Sequence, residues 1–154
     1  MKIGQKAPDF SLKDKSGKDY SLKSFKGDYL AIYFYPKDDT PGCTTEALRF
    51  TEDKAKFKKL KADVVGISGG DEKTKEKFCR KHEIDLLLLS DSDFTVSKLY
   101  GSFGEKTFMG RKYKGIFRNT FLLDKSKKVI QVFEKVSVDK HSAEVLTAIK
   151  SFNE

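Results

Sequence analysis

Cysteine is scarce in this chain: Cys43 and Cys79 are its whole complement. No Cys-x-x-Cys pair exists, because residue 46 is Glu. Histidine is as rare, and His82 and His141 stand at no ligand-like spacing from a cysteine or an acid, which argues against a zinc motif. Both histidines are expected to be solvated. No run of about eighteen apolar residues is present, which excludes a membrane-spanning helix. The opening residues, Met1-Lys2-Ile3-Gly4-Gln5-Lys6, lack the apolar core of a signal peptide, so the expected compartment is the cytoplasm. In that compartment two thiols point to chemistry rather than to a permanent structural bridge. Tryptophan is absent, and no internal repeat, linker or low-complexity segment interrupts the chain.

Positive charge is present in excess, with 31 Lys and Arg against 23 Asp and Glu, a formal net charge of +8. Such a surface can steer nucleic acid, anionic membrane or an acidic partner. The surplus is scattered, however, along Lys54, Lys56, Lys58, Lys59 and Lys61 and in a turn at Lys125, Lys127 and Lys128. No RNP-type motif or basic heptad accompanies it, so a solvated lysine surface with no nucleic-acid partner is the expectation. Hydrophobic residues make up 38% of the 154, including thirteen Phe, which suffices for one domain over residues 1–154 to fold around its own core.

Periodicity orders the chain. Alternating residues at 10–14 and 20–22 around Lys15-Ser16-Gly17-Lys18 predict an N-terminal hairpin. The apolar run 29–35 reads as a buried strand, broken by Pro36, Pro41 and Gly42. Ala47, Phe50, Phe57 and Leu60 then recur at helical spacing to about Lys61. Residues 63–68 form a second core strand, and Asp71 is placed to cap a helix over 72–82. A third strand is expected at 86–89, a short helix at 95–100, and a Gly-punctuated stretch over 101–115. Residues 116–123 and 129–134 should pair as antiparallel strands, and 142–152 closes the chain as a helix. This is an α/β pattern, a mixed central sheet flanked by helices.

Cys43 follows the strand and the turn-rich loop and opens the helix. A thiol there meets unpaired backbone N–H groups and the positive end of the helix dipole, both of which stabilise the thiolate, the reactive form. Arg118 is a lone charge in the apolar run Ile116-Phe117-Arg118-Asn119-Thr120-Phe121. Arginine is rarely buried without a partner. Either a thiolate and its substrate supply that partner, or the side chain projects outward from an alternating strand.

The residues around Cys43 also carry a resemblance. Pro36-x-x-x-Thr40-x-x-Cys43, continued as Cys43-Thr44-x-Glu46, resembles the active-site signature of peroxiredoxins. The wording from Phe34-Tyr35-Pro36-Lys37 through Thr40-Pro41-Gly42-Cys43-Thr44 is similar to their Q-type, or bacterioferritin comigratory, subfamily. Gly4-x-x-Ala7-Pro8-x-Phe10, Val65-Gly66-Ile67-Ser68 and Gly115-Ile116-x-Arg118-x-Thr120-Phe121 look like further segments of that family, so the likeness covers nearly the whole chain. It implies a thioredoxin-like fold and a thiol peroxidase acting on hydrogen peroxide and organic hydroperoxides, with no metal, haem or flavin cofactor. Cys43 would be the attacking sulfur, Thr40 would accept a hydrogen bond from the peroxide, Pro36 would shield the sulfur, and Glu46 would orient Arg118. Thr40 serves equally as a helix N-cap, and Glu46 as a first-turn dipole partner. Arg49 is a weaker candidate for a second cation.

Many Q-type relatives place a resolving cysteine five residues after the first, where this chain has Leu48. Others use the later helix, and Cys79 matches that place, with Arg80, Lys81 and His82 expected to favour its thiolate. The resemblance thus implies an intramolecular disulfide, reduced by thioredoxin or a similar dithiol, in a monomer or weak dimer. Alternatives for Cys79 are a small buried hydrophobe beside Phe78, or a one-cysteine enzyme resolved by an outside thiol. Lys73, Lys75, Lys77 and Lys81 should repel one another and leave the helix around Cys79 marginal, ready to unwind with the first turn after Cys43. Two rivals come from other classes. A disulfide oxidoreductase would need Cys-x-x-Cys, and a basic holdase chaperone or DNA-associated protein would need only the charge.

Overall fold

The computed structural model describes residues 1–153. The apolar run after Gly27 becomes β3 (Tyr29–Phe34), an interior strand of a seven-stranded sheet. Successive side chains of a strand point to opposite faces, so Leu30, Ile32 and Phe34 enter one core while Ala31, Tyr33 and Tyr35 enter another. Parallel to β3 lies β4 (Ala62–Ser68), and parallel to that lies β5 (Leu87–Ser90). Tyr33 stands opposite Gly66, where any Cβ would come within 2.7 Å of both Tyr33 and Leu88. Glycine at 66 is therefore a requirement of packing. The expected N-terminal hairpin is present as β1 (Leu12–Lys13) and β2 (Asp19–Tyr20), added antiparallel beside β5. On the other side β8 (Thr120–Leu123) and β9 (Val129–Phe133) run antiparallel, giving the mixed sheet order β2-β1-β5-β4-β3-β8-β9.

Helices cover both faces. Ala47 and Phe50 of α1 (Pro41–Glu52), Phe57 of α2 (Lys54–Lys59), Phe78 of α3 (Glu72–His82), and Val145 and Ile149 of α5 (His141–Phe152) pack on the Tyr33 side. Val96 of α4 (Thr95–Leu99) packs with Tyr100, Ala7 and Phe10 on the other. Asp71 caps α3 as expected, its carboxylate accepting from the Thr74 N–H. Among the described residues no helix is long and apolar enough to cross a membrane.

Two expected elements are divided. The helix foreseen from Cys43 to about Lys61 starts earlier, at Pro41, whose ring is preset for the first helical position. It then breaks at Asp53, whose backbone leaves helical geometry at ψ 4° and whose carboxylate accepts from Ser142 of α5. The strand foreseen over 116–123 is split as well. Its first part joins β6 (Phe103–Phe108) in a separate hairpin as β7 (Arg111–Ile116), formed from the Gly-punctuated stretch. Between β7 and β8 the Asn119 N–H donates to Phe117 O at 2.9 Å, a tight turn centred on Arg118. Arg118 therefore sits in a connection and not inside a core strand.

Both histidines depart from expectation. His141 is fully buried, edge-on to Phe50 and Phe133, and shares a 2.7 Å hydrogen bond with Thr120. His82 is three-quarters buried against the Asp39 carboxylate. A ring flanked by aromatics with one polar contact satisfies a core position, and spacing in the sequence does not show such neighbours.

Candidate active site

Thr40 occupies the N-cap position of α1 in extended conformation, φ −97° and ψ 155°. Its carbonyl accepts from the Thr44 N–H at 2.9 Å and the Thr44 hydroxyl at 2.7 Å. Its own hydroxyl donates back to Lys37 O at 3.0 Å, closing the loop rather than capping the helix. The first-turn amides thus keep no side-chain cap, and Cys43, the third residue of the helix, stands among them. The sulfur is buried, with 1% relative exposure.

One guanidinium joins the helix to the β7–β8 connection. Arg118 Nη2 donates to Cys43 Sγ at 3.4 Å, and Nη1 donates to Glu46 Oε1 at 2.7 Å. Cys43 and Glu46 are three residues apart and so share one helix face. The tight turn at Arg118 aims the side chain at that face. Gly42 leaves room for it, since a Cβ there would lie 3.3 Å from Nη2. The planar fork lets a single arginine hold two acceptors at a fixed angle.

Burial governs the charges. It pushes the Glu46 carboxyl up to about 7, against the opposing pull of Arg118. Burial also works against the Arg118 charge, but the Cys43 and Glu46 partners outweigh it and hold the guanidinium firmly protonated. The asymmetry within the pair follows exposure: the Arg118 side chain keeps 21% and Glu46 only 1%. The second carboxylate oxygen of Glu46 and the hydroxyl of Tyr33 are buried with no hydrogen-bond partner among the described residues. Burial, then the charges of Glu46 and Cys43, raise Tyr33 well above its ordinary value, so it stays a neutral phenol. Burial, then Arg118, lower His141 to about 4, so this ring is neutral at pH 7.

The Glu46 shift carries a test. Its carboxyl titrates near 4.5 when unfolded and near 7 when folded. The folded state therefore binds more protons in that window, and stability falls as pH rises from 4.5 to 7. A Glu46→Gln variant should remove that slope, by about 3 kcal/mol at most. Urea unfolding across the window checks it, and parallel curves for the two proteins would refute the assignment.

The structure brings Cys43, Glu46 and Arg118 together and places Thr40 at the head of the same helix. Pro36 is half-buried and lines a cavity of about 280 Å³ with Asp38, Gly69, Gly70, Thr74 and Phe94. Arg49 is not a second cation of the site: it turns to Glu52 at 3.1 Å and to Asp139 at 3.8 Å. Lys106 shares a cavity of about 490 Å³ with Arg118, Phe117 and Val136, and donates to Ile116 O at 3.0 Å. Cys79 is free and buried in α3, and burial pushes its thiol up. The expected activating cations are engaged elsewhere, Arg80 with Glu76 and both Lys81 and His82 with Asp39.

Sequence reasoning missed Tyr33, His141, Lys106 and the buried pair of Asp38 and Lys75. Only Lys75 left a signal, since it falls on the helix face of Phe78 and Cys79.

Comparison with known proteins places these features in context. Residues 3–132 match the AhpC/TSA family. The chain is 41% identical over 154 residues to Peroxiredoxin Bcp of Bacillus subtilis (strain 168), covering 100% of this chain and 98% of that protein. A Xylella fastidiosa PrxQ cysteine-to-serine mutant superimposes with a TM-score of 0.93 at 32% identity, covering 100% and 98% of the two chains. The Xanthomonas campestris bacterioferritin comigratory protein, studied for alkyl peroxide reduction, superimposes with a TM-score of 0.87 at 36% identity, covering 94% and 92%.

Proposed function

The chain belongs to the AhpC/TSA family, among its Bcp/PrxQ peroxiredoxins, and we propose that it reduces peroxides through Cys43, is resolved by Cys79 and is recycled by a thioredoxin-type dithiol. Membership makes it a thiol peroxidase with a thioredoxin-like fold. The observation that supports Cys43 as the attacking sulfur is the Arg118 guanidinium, held by Glu46 and pointed at that sulfur.

The Cys43 thiolate attacks the terminal oxygen of a hydroperoxide. The O–O bond breaks, the S–O bond forms, and the departing oxygen leaves as water or an alcohol after taking a proton. Arg118 stabilises the thiolate and then the charge developing on the peroxide, in a water-poor site where such donors act strongly. The uncapped amides of the first turn supply further donors. With its hydrogen given to Lys37 O, the Thr40 hydroxyl keeps its lone pairs to accept the substrate's hydrogen, and Pro36 limits water around the loop. The alkyl peroxide reduction studied in the Xanthomonas relative supports including organic hydroperoxides. The Cys79 thiol next attacks the sulfenic sulfur and expels water, leaving a disulfide that an external dithiol reduces by exchange. The cytoplasm, where such dithiols are maintained, is the fitting compartment.

A Cys79→Ser variant tests the second half of this cycle. Its first turnover with peroxide should match the parent, while recycling by thioredoxin should fall at least tenfold. The longer-lived sulfenic acid should over-oxidise more readily. Stopped-flow peroxide consumption coupled to a thioredoxin system, with mass spectrometry of the products, reads all three. Normal turnover with thioredoxin would make this a one-cysteine enzyme in which Cys79 only packs.

A further inference from the structure

Lys75 has no exposed surface, although a lysine on α3 was expected to repel its neighbours in solvent. Its ammonium has three hydrogens, and each finds an acceptor: Asp38 Oδ2 at 3.0 Å, Ser68 Oγ at 2.9 Å and Gly69 O at 2.7 Å. The Asp38 carboxylate is equally committed, accepting from the Tyr35 hydroxyl at 2.6 Å and from Thr74 Oγ1 at 3.2 Å. Asp38 lies in the loop that leads into α1, five residues before Cys43, and Lys75 lies one helical turn before Cys79. The pair thus ties together the two segments that carry the thiols. A second tie runs beside it, from Asp39 to Lys81 at 2.9 Å and to His82 at 2.6 Å. That tie is solvated, with 37% exposure at Asp39 and 57% at Lys81, and solvated pairs hold weakly. The buried pair has 0% and 8% exposure and is not screened in this way.

We propose that Asp38 and Lys75 are positioning residues: their ion pair holds the loop ahead of Cys43 against α3, and its separation sets how often Cys79 is released from the core. The inference deepens the cycle proposed above and rests on it for the purpose of that release, the meeting of the two sulfurs. Opening gives up the three hydrogen bonds of the ammonium and those of the Asp38 carboxylate together, so it is rare while both partners remain. In the closed state Cys79 is withheld, and Cys43 has time to react with peroxide before its helix is disturbed.

The test uses the reduced full-length protein. Peroxide chemistry is first removed with Cys43→Ser, and the alkylation rate of Cys79 by iodoacetamide then reports release alone. Removing one charge strands the other, so the informative variant is the double Asp38→Asn/Lys75→Met. A Val96→Ala variant, in the opposite core, supplies a baseline for lowered stability. Alkylation of Cys79 should rise at least tenfold in the double variant and less than threefold at Val96→Ala. With Cys43 restored, quenched-flow mass spectrometry should show disulfide formation accelerated relative to peroxide attack, a ratio that a purely structural pair would not move. Alkylation within twofold of the parent, or equal acceleration by Val96→Ala, overturns the proposal. Raised alkylation with no Cys43–Cys79 disulfide in the unmodified enzyme upholds the clamp and refutes the resolving cycle instead.

Discussion

Peroxide consumption should fall to the uncatalysed background when Cys43 is replaced by serine. The substitution is nearly isosteric, and a serine hydroxyl can still accept from Arg118, so the fold and the ion pair with Glu46 should persist. What disappears is the only sulfur that combines a place among first-turn amides with a fixed cation. Serine is un-ionised near neutral pH, and the side chain hydrogen-bonded at this position among the described residues is the protonated Arg118 and not a general base, so serine is not a nucleophile there. Cys79 cannot substitute, because burial pushes its thiol up and the nearby cations are committed to carboxylates. Stopped-flow measurement with hydrogen peroxide and an organic hydroperoxide reads the loss directly. Retention of most activity would sink the assignment of Cys43. The same variant separates the rival classes, since chaperone or nucleic-acid binding by a +8 chain would survive it and weaken with salt.

Arg118→Met should slow peroxide attack by roughly 10²–10³-fold, the scale on which loss of one donor to developing charge is felt in a preorganised site. Methionine keeps much of the packing volume but removes both arms of the fork. The cost falls mainly on the reaction, because the Glu46 carboxyl, already near 7, can take up a proton when its cation is gone. Melting temperature should therefore change little beside the rate. Glu46→Gln alone should cost less, since the amide oxygen still accepts from the guanidinium. Combining the two substitutions should cost little more than Arg118→Met by itself, because Glu46 acts only through the arginine. An Arg118→Met enzyme with the parent's rate constant would mean that the 3.4 Å contact with the sulfur is incidental.

Much of this molecule is legible in its sequence. The buried strand through Ala31, Tyr33 and Tyr35, the capped helix after Asp71 and the final helix follow from spacing and end residues, which are local properties. The family resemblance, carried by one segment around Cys43 and another around Arg118, pointed to the sulfur, the acid and the arginine. Less legible was everything that depends on where a side chain's distant neighbour lies. His141 reads as a solvated residue from spacing alone, yet Phe50 and Phe133 enclose it.

Alternation and helical spacing by themselves determined the layered α/β architecture, since each needs only the residues within one or two turns to decide which face is apolar. The place of the candidate thiol was likewise written locally, in a loop that ends at a helix start. Only the tertiary structure decided the electrostatics. Whether Lys75 repels its neighbours or pairs with Asp38, whether Arg118 faces solvent or sulfur, and whether Glu46 is ionised all turn on burial and on partners 37 to 75 positions away. Burial is a property of the assembled core, because a charge is costly or useful only according to what has displaced its water.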